Sequence, residues 1–213
     1  MNRTFYILAG LLVLIALYLI FLQDKSRRWS QEWEESFESF QPSLKIMDLI
    51  GIKEDMYVGE IGGGNGRFAV RVARRVGDSG KVYANDIDLK AVRFMTQRCE
   101  RDNINNMQVI LSRPTNPNFP RNKLDLVYVI NTYHYFADPV RLLANTKYSL
   151  KPEGKLAIVA SDPDKIKKKK QRGVSKEQIL RQVTDAGYEL IRMDTVSLVY
   201  DNIYLFRKNK AKD

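Results

Sequence analysis

The chain has 213 residues, of which 44% are hydrophobic, and it carries a formal net charge of +10. This length allows one domain with a substantial core, and no break in composition argues for two. The single cysteine, Cys99, excludes a framework of intrachain disulfides, and a lone cysteine on a helix is most often a small buried hydrophobe.

An uncharged apolar run of eighteen residues occupies positions 5–22. As a helix it would be roughly 27 Å long, close to the hydrocarbon thickness of a bilayer. A cleaved signal peptide is the alternative, but the run is longer than a signal's core and ends without small residues at a cleavage site. The sequence therefore predicts a transmembrane anchor at 1–23. The span has more basic residues after it, at Lys25, Arg27 and Arg28, than before it, at Arg3. Because basic flanks stay on the cytoplasmic side, this difference predicts a single-pass membrane protein with its domain in the cytoplasm.

Aromatic residues at positions 29, 33, 37 and 40 have helical spacing, with acidic residues between them. We predict a juxtamembrane amphipathic helix or linker at 24–42, followed by one domain at 43–213. Three roles stay open for the aromatic face: packing on that domain, lying along the membrane, or capping a pocket.

Much of the positive charge lies in segment 165–172, which has six cations in eight residues. A solvated loop is one interpretation of such a run. For a tethered chain, attraction to anionic lipid is the simpler functional one. Nucleic acid is not an expected partner, because the segment lacks interleaved aromatic residues for base stacking.

Apolar runs alternate with helical patterns over the rest of the chain. The predicted strands are 56–61, 81–86, 107–111, 124–131 and 155–161. The predicted helices are 43–50, capped by Ser43, and 66–76, 89–101, 139–150 and 176–186. Such alternation predicts a parallel sheet covered on both faces. Two last extended runs, 189–198 and 202–207, are too close in sequence for a parallel crossover and must pair antiparallel.

The segment EIGGGNGR, from Glu60 to Arg67, follows the first strand and opens a helix, where parallel sheets bind ligands. A dinucleotide fingerprint starting at Gly62 would need glycine where Arg67 stands, and no Gly-Lys-Ser/Thr tripeptide supports a P-loop. Asp86 ends the next strand, twenty residues after Gly66, where a carboxylate can accept hydrogen bonds from both hydroxyls of a ribose. A helix N-cap is the alternative role, for which Asp88 is better suited.

These motifs, together with the strand LDLVYVIN and the segment LKPEGKL, resemble the class I S-adenosylmethionine (SAM)-dependent methyltransferases over about residues 42–207. The resemblance implies a Rossmann-like, seven-stranded, mostly parallel sheet with helices on both faces and a C-terminal antiparallel hairpin. It implies SAM as cofactor and no metal. The implied cofactor-binding residues are Glu60, Gly62, Gly64, Gly66, Asp86, Ile87 and Asn131.

The resemblance also implies a role for each of these residues. The glycine turn passes beside the methionine and ribose portion, and Glu60 supports the turn and the cofactor's amino group. Asp86 binds the ribose hydroxyls, Ile87 packs on the adenine, and Asn131 faces the methyl-bearing sulfur. One departure is the segment Leu111-Ser112-Arg113-Pro114, where relatives often have an acid near the adenine amino group. That departure leaves open a noncatalytic copy.

The segment NTYHYF follows the fourth strand and contains His134, the one histidine of the chain. Imidazole can take a proton from a hydroxyl or thiol near neutral pH, so His134 and Tyr133 are the predicted catalytic residues. The alternative is that His134 only shapes the pocket wall. The absent Asn/Asp-Pro-Pro-Tyr/Phe motif disfavours methylation of amide or base nitrogens.

The predicted function is SAM-dependent methyl transfer to an unidentified acceptor. That acceptor is a small molecule or a lipid-like molecule, and the predicted anchor suggests that it is associated with the membrane. Two alternatives remain. One is a noncatalytic, membrane-tethered protein that binds SAM or a nucleotide. The other is an NAD-dependent oxidoreductase, against which the glycine spacing and the terminal hairpin argue.

Overall fold

The computed structural model describes residues 10–16, 31–166 and 173–209. The chain divides into two compact units, Met1–Ser39 and Phe40–Asp213. In the first unit, residues 10–16 are helical (α1), and a second helix (α2, Gln31–Phe40) begins there. α2 agrees with the helical spacing of the aromatic residues at its positions, while Trp29 lies outside the described residues.

The predicted membrane anchor needs correction. In the ranges that the structure describes, no helix is both long and apolar enough to cross a membrane. The predicted single-pass membrane localisation is therefore wrong. Residues 5–9 and 17–22 of the predicted span lie outside the described residues.

The second unit is built on seven strands in the order β3-β2-β1-β4-β5-β7-β6. The strands are β1 (Tyr57–Ile61), β2 (Lys81–Asp86), β3 (Met107–Leu111), β4 (Leu124–Ile130), β5 (Leu150–Ser161), β6 (Tyr188–Asp194) and β7 (Asp201–Lys208). The first five pair in parallel, whereas β7 pairs antiparallel with both β5 and β6. The predicted mostly parallel sheet with a terminal antiparallel hairpin is confirmed.

Helices cover both faces of the sheet. They are α3 (Ser43–Ile50), α4 (Arg67–Val76), α5 (Leu89–Arg101), α6 (Pro139–Thr146) and α7 (Lys176–Asp185). Side chains of α3, α4 and α5 join one apolar cluster, and those of α6 and α7 join the other. β4 alternates between the two, since Leu126 and Tyr128 face the first cluster and Val127 and Val129 face the second. This two-layered core fixes the strand ends at which the functional groups lie.

The larger differences from the sequence predictions lie at the end of α6 with the start of β5, at the end of β6 and at the cap of α3. Other element bounds differ by one residue at most. The helix predicted to reach residue 150 ends at Thr146, because Leu150 pairs with Leu124 as the start of β5. The strand predicted to reach residue 198 ends at Asp194, whose carboxylate accepts hydrogen bonds from the Val196 and Ser197 amides and turns the chain. The cap of α3 is Pro42 rather than Ser43, whose hydroxyl instead accepts from Arg67.

Core packing of α3 can be tested with two substitutions on that helix. Ile46 is fully buried and Leu44 is 67% exposed. Ile46→Ala should lower the free energy of unfolding by about 2–5 kcal/mol through lost apolar burial and a residual cavity. Leu44→Ala should change it by less than about 0.5 kcal/mol. Urea unfolding followed by circular dichroism measures both, and equal effects would contradict the described orientation of α3.

Candidate functional site

The turn after β1 is held by the end of β2. The Gly62 and Gly63 amides donate to the Asn85 carbonyl at 3.0 and 2.8 Å. Gly62, Gly64 and Gly66 all have positive φ, which L side chains rarely adopt. A Cβ on Gly62 would also lie 2.2 Å from Thr132 Cγ2, whereas a Cβ on Gly64 would meet no atom within 4 Å. The turn therefore packs closely against Thr132, just after β4, and leaves open space beside Gly64.

Asp86 is fixed by two backbone amides. Its Oδ2 accepts from the Gly64 amide at 3.0 Å, and its Oδ1 accepts from the Asp88 amide at 2.9 Å. Asp88 is the N-cap of α5 through the Lys90 amide, as the sequence predicted. Each carboxylate oxygen of Asp86 has a further lone pair, so the group can still accept hydrogen bonds from a ligand.

Apolar side chains stand exposed beside Asp86. Ile87 is 62% exposed and Leu111, which ends β3 opposite Asp86 in the strand register, is 48% exposed. Large apolar side chains at two adjacent strand ends suit the flat face of an aromatic ring. Sequence reasoning had not selected Leu111, although its position at the carboxyl end of a parallel strand was a usable signal. The segment from Leu111 to Pro114 contains no acid, as the sequence showed, and the Arg113 backbone pairs with Asn116.

Glu60 lies inside the domain rather than at its surface. It is 3% exposed and accepts a hydrogen bond from the Tyr128 hydroxyl at 3.4 Å. Burial raises the pKa of Glu60 to about 7, although the positive charge of Arg67 partly offsets this effect. Glu60 can therefore lie in either protonation state near neutral pH.

A buried polar cluster, which sequence reasoning missed, lies beside the glycine turn. Arg67 donates to Gln41 Oε1 at 2.6 Å, and Gln41 Nε2 donates to Asp201 Oδ2 at 2.9 Å. Gln41 and Asp201 are 1% and 2% exposed. The hydroxyl of Ser161 lies 2.8 Å from Asp201 Oδ1 and 3.3 Å from Asn131 Oδ1, and it can donate to either oxygen. The cluster joins the turn after β1 to the end of β4.

The three predicted site residues in the segment after β4, Asn131, Tyr133 and His134, differ in burial and in their contacts. Asn131 has a positive φ, and its amide donates to the Val159 carbonyl. His134 is half-buried, with its ring centroid 4.0 Å from that of the exposed Tyr135. Tyr133 is 2% exposed and donates to Gln182 at 3.0 Å. Burial raises the pKa of Tyr133 well above its usual range. The catalytic role of Tyr133 stays a prediction, and its burial favours a packing role.

The basic segment is described only at its start. Positions 167–172 lie outside the described residues, and Lys165 donates to the backbone carbonyls of Leu198 and Asp201. Lys165 thus ties the end of β5 to the start of β7. Lipid binding by the segment stays a prediction.

Residues 58–154 match the family described as "Methyltransferase domain". A SAM-dependent methyltransferase from Aquifex aeolicus is similar at 25% identity, with 80% of this chain and 92% of that chain covered and a TM-score of 0.74. No curated protein matches the sequence.

Two further solved structures share the fold. A TehB-like SAM-dependent methyltransferase from Corynebacterium glutamicum has 15% identity over 88% of this chain and 100% of that chain, with a TM-score of 0.65. The [4+2]-cyclase SpnF has 15% identity over 78% and 80%, with a TM-score of 0.66. At these identities the likeness concerns the fold alone, and a fold of this kind does not fix the reaction.

The raised pKa of Glu60 predicts a pH dependence of stability. Because its pKa is about 7 in the folded protein, Glu60 should hold its proton up to about pH 7, whereas in the unfolded chain it loses the proton near its ordinary pKa of 4.5. The free energy of unfolding should fall between these pH values, by roughly 3 kcal/mol, because the folded state binds more protons there. Glu60→Gln should remove this slope, as measured by urea unfolding at pH 4.5 and 7.5.

The matched control is Glu54→Gln, at an exposed position in the turn before β1. This variant should keep the slope of the unsubstituted protein. Equal slopes in all three proteins would contradict the assignment to Glu60.

Proposed function

We propose that this chain, a SAM-dependent methyltransferase, methylates a small-molecule or lipid-like acceptor that lies beside the segment 132–136. The observation that carries the proposal is the hydrogen bond from the Gly64 amide to Asp86 Oδ2. It joins the glycine turn and the strand-end acid into one rigid edge. A nucleoside with a charged tail fits such an edge, because its sugar and its tail need donors and acceptors at adjoining strand ends.

The residues present fit the cofactor. Gly64 has open space where a Cβ would stand, Asp86 retains acceptor capacity, and Ile87 offers an exposed apolar surface. In the proposed arrangement Asp86 accepts hydrogen bonds from the ribose hydroxyls. Ile87 and Leu111 pack against the adenine ring. Glu60 and the glycine turn lie towards the methionine end. When bound, SAM supplies an electrophilic methyl group on a positively charged sulfur.

The protein's own part in the reaction is mainly alignment. A direct displacement needs donor and acceptor held in line, and a base is needed only if the acceptor must lose a proton. We assign that base to His134, which is half-buried next to the exposed ring of Tyr135. Aromatic side chains there favour an acceptor with an apolar or aromatic body and one hydroxyl or thiol.

Cofactor binding tests the assignment of Asp86. Asp86→Asn should weaken SAM binding roughly 10- to 100-fold, because hydrogen bonds to a charged acceptor are replaced by weaker ones. Asp88→Asn is the matched control, since asparagine is an equally good helix cap and the change should leave SAM affinity within about 2-fold. Isothermal titration with SAM and with NAD measures these affinities.

Two results of that titration would contradict the proposal. SAM affinity unchanged by Asp86→Asn would contradict the ribose assignment. An unsubstituted protein that binds NAD but not SAM would overturn the proposed function.

Methyl transfer tests the role of His134. Purified protein, [methyl-³H]SAM and an organic extract of whole-cell metabolites should yield labelled products that partition into ethyl acetate. His134→Ala should reduce labelling roughly 100-fold without weakening SAM binding, because it removes a proton acceptor. Tyr135→Phe, which keeps the neighbouring ring, should retain labelling. SAM binding without any labelling would favour the noncatalytic alternative.

A further inference from the structure

Thr132, just after β4, contacts the glycine turn through both branches of its side chain. The first branch is the hydroxyl, whose oxygen lies 3.0 Å from the Gly62 carbonyl oxygen and 3.1 Å from the Ile130 carbonyl oxygen. Carbonyl oxygens only accept hydrogen bonds, so the hydroxyl is the donor in both contacts and shares its one proton between them. Thr132 thereby joins the end of β4 to the turn after β1.

The methyl group of Thr132 makes the second contact. A Cβ built on Gly62 would lie 2.2 Å from Thr132 Cγ2, well inside the distance at which carbon atoms repel each other. The methyl group therefore fills the space that a side chain on Gly62 would need. Because glycine also suits the positive φ of this position, Gly62 and Thr132 fit together as a pair.

Gly62 is held from the two strands that flank β1. Its amide donates to the carbonyl of Asn85 on β2 at 3.0 Å, and its carbonyl accepts from Thr132 after β4. In the sheet, β2 and β4 lie on opposite sides of β1. Loss of the Thr132 hydroxyl would leave the hydrogen bonds to β2 in place and would release the turn from the segment after β4.

Thr132 also begins the short turn that contains His134. Its carbonyl accepts from the Tyr135 amide at 2.9 Å, which closes one turn of 3₁₀-helix around His134. Another side of this turn is fixed by Tyr133, whose hydroxyl donates to Gln182 of α7 at 3.0 Å. His134 therefore lies between one anchor on the glycine turn and another on α7.

We propose that Thr132 is a positioning residue that sets the distance between the glycine turn and His134. This inference rests on the proposed function, in which the glycine turn lies beside SAM and the acceptor lies beside the segment 132–136. Direct displacement requires donor and acceptor in near contact and in line, and a misplacement of about 1 Å can cost roughly 100-fold in rate. Thr132 contacts Gly62 with its side chain and starts the His134 turn with its backbone, so few bonds separate the two sides of the site.

Substitutions of Thr132 separate alignment from cofactor binding. Thr132→Val keeps the shape of the side chain and removes the hydroxyl. With SAM at saturating concentration, it should lower labelling of the organic extract roughly 10-fold, because the His134 turn is no longer tied to the glycine turn. Its dissociation constant for SAM should stay within about 3-fold of the unsubstituted value, because Asn85 and Asp86 still hold the turn. Thr132→Ser keeps the hydroxyl and should retain most of the labelling.

The matched control is Thr146→Val. Thr146 is a fully buried threonine in α6, and its hydroxyl also donates to a backbone carbonyl, that of Leu142 at 2.8 Å. The same substitution there removes a comparable hydrogen bond from a residue that does not contact the glycine turn. Labelling and SAM affinity should therefore stay unchanged in Thr146→Val.

The imidazole of His134 gives a second readout that needs neither SAM nor an acceptor. His134 is the one histidine in the sequence, so protein labelled with ¹³C-histidine and prepared without a histidine tag gives a single imidazole signal. Thr132→Val should move or broaden this signal, because the turn that carries His134 loses one anchor. Thr132→Ser and Thr146→Val should leave the signal close to its original position.

Three results would overturn the inference. They are an unmoved His134 signal in Thr132→Val, unchanged labelling by this variant at saturating SAM, and an equal loss of labelling and of SAM affinity, which would indicate a merely structural role. Failure of the unsubstituted protein to bind SAM, or to label any product, would instead overturn the proposed function. The His134 signal would then still decide whether Thr132 holds this segment.

Discussion

The site is organised by the hydrogen bonds through which the end of β2 holds the turn after β1. Backbone amides of Gly62 and Gly63 are satisfied by Asn85, and that of Gly64 by Asp86. A glycine-rich turn has a large conformational entropy to lose, so such contacts are needed to keep it in one shape. The same bonds orient the Asp86 carboxylate. One set of contacts therefore fixes both the shape of the turn and the direction of the acid.

Buried charge is concentrated around that turn. Arg67 lies between two buried acids, with a direct electrostatic effect on Glu60 and a link through Gln41 to Asp201. Burying charged groups is costly unless each has partners, and such groups gather where a protein has a function to perform. The other buried charged side chain among the described residues is Asp162, which accepts a hydrogen bond from Asn202. Three of the four buried charged side chains among the described residues, Glu60, Arg67 and Asp201, therefore belong to the polar groups beside the turn.

The sequence predicted what local patterns encode. β2, β3 and α5 have the predicted bounds, and Asp88 rather than Asp86 is the helix cap, because strand periodicity and capping depend on neighbouring residues. The start of β5 at Leu150 was missed, because its pairing with Leu124 depends on a residue 26 positions earlier in the sequence. The buried polar cluster was missed for the same reason, since nothing near Gln41 in the sequence points to Asp201. The apolar run near the N-terminus led to the mistaken membrane localisation, because its length, its missing cleavage site and its flanking charges are local features of the sequence.

β7 brings the beginning of a strand, rather than its end, to the edge of the sheet where the site lies. Because it runs against its neighbour β5, its first residue, Asp201, stands at the edge where the parallel strands finish. The domain match ends at residue 154, so both Gln41 and Asp201 lie outside the part of the chain that is shared with that family description. A chain shortened before β7 would lose a strand of the sheet and a contact of the site in one cut, so architecture and chemistry cannot be separated here by truncation.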